Sequence, residues 1–162
     1  MLLMMQVINA SWQVKHQLIW VKDSMVLGRA DYHYQHEPII YGWKKNQTHN
    51  FYGDRKQTSI WNVNRPKASG MHPTMKPVEL IEKALLNSSK FGDVVLDMFL
   101  GSGSTLIACE KAGRICCGME IDERYAAVIL ERFKNVTGTD PVLEGETRPS
   151  APKTTPKQRN KA

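Results

Sequence analysis

The stretch Asp93-Val94-Val95-Leu96-Asp97-Met98-Phe99-Leu100-Gly101-Ser102-Gly103-Ser104-Thr105 runs on through residues 106–112 to Arg114-Ile115-Cys116-Cys117-Gly118-Met119-Glu120-Ile121-Asp122, and it decides the fold. Val94 to Phe99 is a short apolar run rich in β-branched residues, the pattern of a buried strand. Gly101 and Gly103 allow a sharp turn and close approach of a ligand to the main chain. Ser104 is placed to cap a helix over Thr105–Lys111, and Gly113 to stop it. A second apolar strand, Ile115 to Met119, leads into Glu120, nineteen residues after Gly101. Strand, glycine turn, helix, strand and acid is the build of a nucleotide-binding βαβ unit, the acid accepting hydrogen bonds from ribose hydroxyls.

A dinucleotide site would carry a third glycine where this chain has Leu106, because that glycine packs the helix against the strand beneath a pyrophosphate. A ligand with an adenosine ribose and no pyrophosphate fits better, and S-adenosylmethionine is the common one. Spacing alone also allows a plain α/β crossover whose glycines only make a turn.

The residues before the loop add a resemblance. His72-Pro73-Thr74-Met75-Lys76-Pro77, a helix over Val78–Asn87, the strand to Asp97 and the glycine loop resemble motifs X and I of the amino-methylating DNA methyltransferases, and Met119-Glu120-Ile121-Asp122 resembles motif II. Upstream, Leu18-Ile19-Trp20-Val21-Lys22, Leu27-Gly28-Arg29-Ala30-Asp31-Tyr32-His33 and His36-Glu37-Pro38-Ile39-Ile40-Tyr41-Gly42-Trp43-Lys44 resemble the catalytic-region motifs of that family. Their order is that of the permuted β group, and the resemblance runs from Gln6 to Gly138. It implies an α/β fold: an incomplete Rossmann-like S-adenosylmethionine-dependent methyltransferase fold with a mostly parallel sheet, a small recognition insert and a disordered basic tail. The implied organisation is a partial methyltransferase domain over 1–138, with catalytic-region strands and a DNA-facing insert at 14–71 and a cofactor part at 72–138, followed by the tail at 139–162.

One departure stands out. The family carries Asp-Pro-Pro-Tyr or a close variant, whose polar groups accept hydrogen bonds from the target amine and whose aromatic stacks on the base. This chain has no such tetrapeptide; Asp140-Pro141-Val142-Leu143 is the nearest string and lies in the wrong place. Met98 also stands where the family usually has proline. No catalytic residue is therefore assigned. The resemblance assigns S-adenosyl-L-methionine to His72, Thr74, Lys76, Asp97, Phe99, Gly101, Ser102, Gly103 and Glu120. Within that set Thr74 and Lys76 are suited to the carboxylate and Asp97 to the amine of the methionine part.

The charge is partitioned. The net +6 comprises +6 over Met1–Lys76, −5 over Pro77–Thr147 and five further basic residues in Arg148–Ala162. A polyanion would meet the basic first half. Lys22, Arg29, Tyr32, His33 and Tyr34 lie in one polar, aromatic-rich loop, and Lys44, Lys45, Arg55 and Lys56 are interleaved with Trp43, Phe51, Tyr52 and Trp61. Cations meet phosphates and rings meet bases, as a nucleic-acid surface needs, and the resemblance implies double-stranded DNA as the partner. His33 and His36 lack further ligands at useful spacing, which argues against a metal. Cys109, Cys116 and Cys117 form neither a disulfide framework nor a zinc pattern, and Cys116 and Cys117 should point to opposite faces of their strand. A reducing cytoplasm is expected, and the resemblance implies a bacterial or phage-encoded protein. No run is long enough to span a bilayer.

Along the chain, Met1 to Trp12 reads as the end of a helix whose beginning is absent. Strands are expected at Val14–Val21, Pro38–Trp43 and Thr58–Val63, with Leu18-Ile19-Trp20-Val21 buried on both faces. An amphipathic helix is expected at Glu123–Asn135, burying Tyr125, Val128, Ile129 and Phe133 and ending at Gly138. In the family sheet a fourth strand would lie between Val94–Phe99 and Val14–Val21. Its loss would leave two facing, unpaired edges, at roughly 1–3 kcal/mol for each buried unsatisfied group. A separate polypeptide supplying the missing strands, a homodimer or a rearrangement would close the gap. The leading reading is the C-terminal portion of a DNA methyltransferase, with adenine N6 favoured and cytosine N4 the alternative. A non-catalytic remnant that binds cofactor or DNA is the second, and an unrelated α/β nucleotide enzyme the third.

Overall fold

The structure, a computed structural model, describes residues 12–29, 31–66 and 75–145. Strand β1 spans Trp12–Val21 and turns back through a polar loop into β2, His36–Lys44. The two pair antiparallel, Leu18 opposite Ile39 and Trp20 opposite Glu37, with an irregularity between Val14 and His16. Strand β3, Ile60–Asn62, joins β1 on its other side in parallel, so β1 is the central strand. On the Val14–Val21 side the structure shows the rearrangement that was one of the expected ways to close the gap, with β3 hydrogen-bonded along Ile19–Val21, while the strand Val94–Asp97 pairs among the described residues only with Ile115–Gly118. Trp12, expected to end a helix, lies inside β1, and the rest of that expected helix lies outside the described residues. The strand is also less enclosed than expected. Trp20 is buried, whereas Leu18, Ile19 and Val21 are half-buried.

Helix α1, Val78–Ser88, begins at Pro77 and leads to β4, Val94–Asp97. Helix α2, Ser104–Ala112, crosses over to β5, Ile115–Gly118, which pairs with β4 in parallel from Val94/Ile115 to Asp97/Gly118. Helix α3, Glu123–Thr137, follows and ends at Gly138 as expected. Two of the three strand pairings are parallel, and they fall in two sheets rather than one.

Helix α1 joins the two halves. Leu80 packs with Trp20, Trp61 and Val63 over the first sheet, while Leu85 packs with Ala108 and Cys109 over the second. Successive side chains on β4 and β5 alternate between faces. Val95 and Cys116 point under the helices into that second cluster. Val94 and Leu96 point the other way and are 64% and 66% exposed, and Ile115 and Cys117 on β5 are exposed too. The expected fully buried strand is thus buried on one face only, because among the described residues nothing covers the other. Cys116 and Cys117 do face opposite ways, and burial pushes the Cys116 thiol up to about 12. Among the described residues no helix is long and apolar enough to cross a membrane.

Candidate cofactor site

The site sits where β4 ends and α2 begins. Gly101 and Gly103 both adopt left-handed backbone, with φ of +55° and +76°. At Gly103 a Cβ would also stand 3.0 Å from Ile129 Cγ2 of α3, so the position needs glycine twice over. This turn changes the expected cap. Gly103, not Ser104, occupies the N-cap, and Ser104 becomes the first helical residue. Its hydroxyl donates to the Lys76 carbonyl at 2.7 Å instead of capping.

Two acids hold the loop. Glu120 accepts from the Gly101 amide at 2.8 Å through Oε2 and from the Asp122 amide at 3.0 Å through Oε1. Asp97 accepts from the Phe99 amide at 3.0 Å and from the Thr105 hydroxyl at 2.6 Å. A carboxylate offers about four acceptor positions, so each acid keeps capacity for a ligand. Phe99 is 84% exposed beside the loop. Ser102 is buried, and Arg132 of α3 donates to its carbonyl at 2.8 Å. Asp122 caps α3 through the Arg124 amide, and the Arg124 side chain holds its pKa down to about 2.

The structure therefore brings together Asp97, Phe99, Gly101, Ser102, Gly103 and Glu120. Lys76 is tied to the same loop by its carbonyl, but its Nζ pairs with Glu37 at 2.5 Å. His72 and Thr74 lie outside the described residues. Lys22, expected to meet phosphates, requires correction: its side chain is 6% exposed and pairs with Glu37 at 2.8 Å. Both lysines sit over the Trp20 ring, at 5.4 Å and 5.3 Å from its centroid. Burial would raise the Glu37 pKa, but the hydrogen bonds from Lys22 and Lys76 outweigh it and hold the carboxyl below its usual range.

Arg29, Tyr32, His33, Tyr34, Lys44, Lys45, Arg55 and Lys56 are exposed. A cavity of about 720 Å³ opens between β1, β2 and the end of α1, lined by His16, Tyr41, His49, Phe51, Arg55 and Trp61 among others. Glu37 and Arg132 had no assigned role in the sequence reading. Arg132 was detectable, since it lies three residues after Ile129 and four after Val128, on the inward face of an amphipathic helix.

A glycine turn tied to the acid at the end of the next parallel strand defines a nucleotide-binding α/β unit. Residues 1–131 match the N6/N4 DNA methylase family, and the chain belongs to it. It is similar to the type II methyltransferase M.Cfr9I of Citrobacter freundii, 33% identical over 99 residues that make up 60% of this chain and 33% of that protein. Among solved structures it superposes on M1.HpyAVI in complex with SAM, with a TM-score of 0.69 and 26% identity over 79% of this chain and 66% of that one. It also superposes on TTHA0409 of Thermus thermophilus complexed with S-adenosyl-L-methionine, with a TM-score of 0.63 and 29% identity over 86% of this chain and 61% of that one. The chain spans between 20% and 51% of the length of curated relatives of this kind.

Proposed function

We propose that the chain is the cofactor-binding and DNA-facing portion of an S-adenosylmethionine-dependent DNA methyltransferase of a bacterial or phage-infected cytoplasm. Adenine N6 is favoured, because the upstream motifs at Leu18–Lys22 and His36–Lys44 resemble those of adenine methylases, and cytosine N4 is the alternative. The observation that carries the reading is the Gly101–Glu120 hydrogen bond, which sets the glycine turn against the acid.

The donor, when bound, would supply a methyl group carried on a sulfonium sulfur. Glu120 accepts from the ribose hydroxyls and Asp97 from the methionine amine, using acceptor capacity that the loop leaves free. Phe99 offers its exposed ring to the adenine. His72, Thr74 and Lys76 complete the methionine end. Arg29, Tyr32, His33 and Tyr34, with Lys44, Lys45, Arg55 and Lys56, face double-stranded DNA, whose target base must leave the stack to reach the donor. The polar groups that would accept hydrogen bonds from the target amine lie outside this sequence, on an Asp-Pro-Pro-Tyr strand supplied by a missing N-terminal part or a separate polypeptide. The open edge of β4, which among the described residues pairs with β5 alone, supports this need for a further strand.

Calorimetric titration of the purified chain with S-adenosylmethionine tests the cofactor site, and absence of binding would contradict it. Methyl transfer to unmethylated DNA should then require addition of a polypeptide bearing the missing strand. Turnover by this chain alone would refute the division of labour. Donor binding with no turnover under any complementation would favour a non-catalytic remnant.

A further inference from the structure

We propose that Arg132 is a positioning residue for the glycine loop, fixing it from behind in the shape that takes the adenosyl donor; the donor's identity rests on the reading above. The guanidinium reaches the loop from α3, thirty residues downstream of Ser102. Its Nη1 donates to the Ser102 carbonyl at 2.8 Å, to Ser104 Oγ at 3.1 Å and to Ser102 Oγ at 3.4 Å. The group is half-buried, and among the described residues no carboxylate pairs with it. Burial lowers its pKa accordingly. A cation removed from water without a counter-ion must be held by other groups, and the groups that hold this one belong to the loop.

The consequence for the loop is geometric. A trans peptide is planar, its C=O and N–H pointing opposite ways. In the Ser102–Gly103 peptide the carbonyl is held by Arg132, and the Gly103 amide donates to the Leu100 carbonyl at 2.8 Å. The plane is therefore pinned on both sides, immediately before the left-handed Gly103 and one residue after the left-handed Gly101. Ile129, one turn earlier on α3, rests against Gly103, so the same helix seats the loop by apolar contact and fixes it by hydrogen bonds. The contact also extends outward. Ser104 Oγ, 3.1 Å from Arg132, donates to the Lys76 carbonyl, and Lys76 pairs with Glu37 on β2. Arg132 thus begins a chain of polar contacts that runs from α3 through the loop to the first sheet.

All three contacts come from one nitrogen, so a lysine ammonium with three donors can replace them in part. The test uses the full chain with Arg132→Met and Arg132→Lys, at a temperature where circular dichroism shows each folded. Arg132→Gln stands in for Arg132→Met if the latter does not fold. The Kd for S-adenosylmethionine should rise about tenfold or more in Arg132→Met, the scale of a lost charged hydrogen bond, and about threefold or less in Arg132→Lys. Amide hydrogen exchange over residues 99–105 without donor should be faster in Arg132→Met than in the unsubstituted chain. Unchanged affinity and unchanged exchange in Arg132→Met would overturn the inference while leaving the cofactor reading intact. So would an Arg132→Lys loss equal to that of Arg132→Met. If the unsubstituted chain binds no donor yet exchange responds to Arg132→Met, the cofactor reading falls and the positioning of the loop stands.

Discussion

The Gly101 amide donates to Glu120 Oε2 at 2.8 Å, joining the turn after β4 to the acid after β5 across nineteen residues. The same carboxylate takes the Asp122 amide through its other oxygen, so one side chain fixes the loop on one side and the start of α3 on the other. A ligand seated in this turn meets an acid whose rotamer is already set, which reduces the ordering cost of binding.

Replacing Glu120 should therefore hurt binding more than folding. In Glu120→Ala two main-chain amides lose their acceptor and the ribose hydroxyls lose theirs. The expected outcome is a loss of S-adenosylmethionine affinity of about tenfold or more, since hydrogen bonds to charged groups contribute roughly 1.5–3 kcal/mol. Glu120→Gln, which keeps an acceptor but loses the charge, should fall between the two. Calorimetric titration of the three proteins side by side measures the order.

Gly103→Ala should destabilise the fold itself. A non-glycine residue in left-handed backbone costs about 1–2 kcal/mol, and here the new methyl also meets Ile129 at 3.0 Å. Adding Ile129→Ala to Gly103→Ala should remove the crowding but not the backbone strain. In urea unfolding, Gly103→Ala should shift the midpoint downward. The pair should be less than additive relative to the two single changes, as expected for residues in contact.

Glu37 links two lysines, and its lowered pKa fixes a direction for pH dependence. A carboxyl whose folded value lies below its unfolded one contributes stability that is fully present above the unfolded value of about 4.5 and is lost as pH falls through the folded value. Stability should thus decline below about pH 4.5, and Glu37→Gln should flatten that part of the profile. Thermal midpoints measured from pH 3 to pH 7 for both proteins check this. An unchanged slope in Glu37→Gln would show that other carboxylates carry the acid sensitivity.

The behaviour of these residues separates what was legible in the chain from what was not. The loop, Glu120 and the stops at Gly113 and Gly138 follow from local spacing, and short-range backbone chemistry fixes them. The central position of β1 was not legible, because strand order depends on which distant segment pairs with which edge. Lys22 read as a surface cation because lysines are seldom fully buried; only the fold reveals Glu37 opposite it and Trp20 beneath it. Ser104 read as a helix cap, but two left-handed glycines shift the helix start by one residue, and its hydroxyl goes to Lys76 instead.

The uncovered face of β4 and β5 carries the last prediction. A parallel strand pair normally has apolar cover on both sides, yet Val94 and Leu96 are 64% and 66% exposed. Leu96→Lys places a charge where the side chain already meets water, so the unfolding midpoint of the chain alone should move little, within about 0.5 kcal/mol as for most surface substitutions. The same change should reduce self-association, measured by light scattering, because it interrupts an exposed apolar patch. Its effect on function should run the other way. If a second polypeptide packs over this face, Leu96→Lys should abolish complementation of methyl transfer while leaving donor affinity unchanged, since Glu120 and the glycine loop lie at the strand end and not on that face. Complementation that survives Leu96→Lys would show that the partner, if it adds to β4, adds to its edge and leaves the apolar face open.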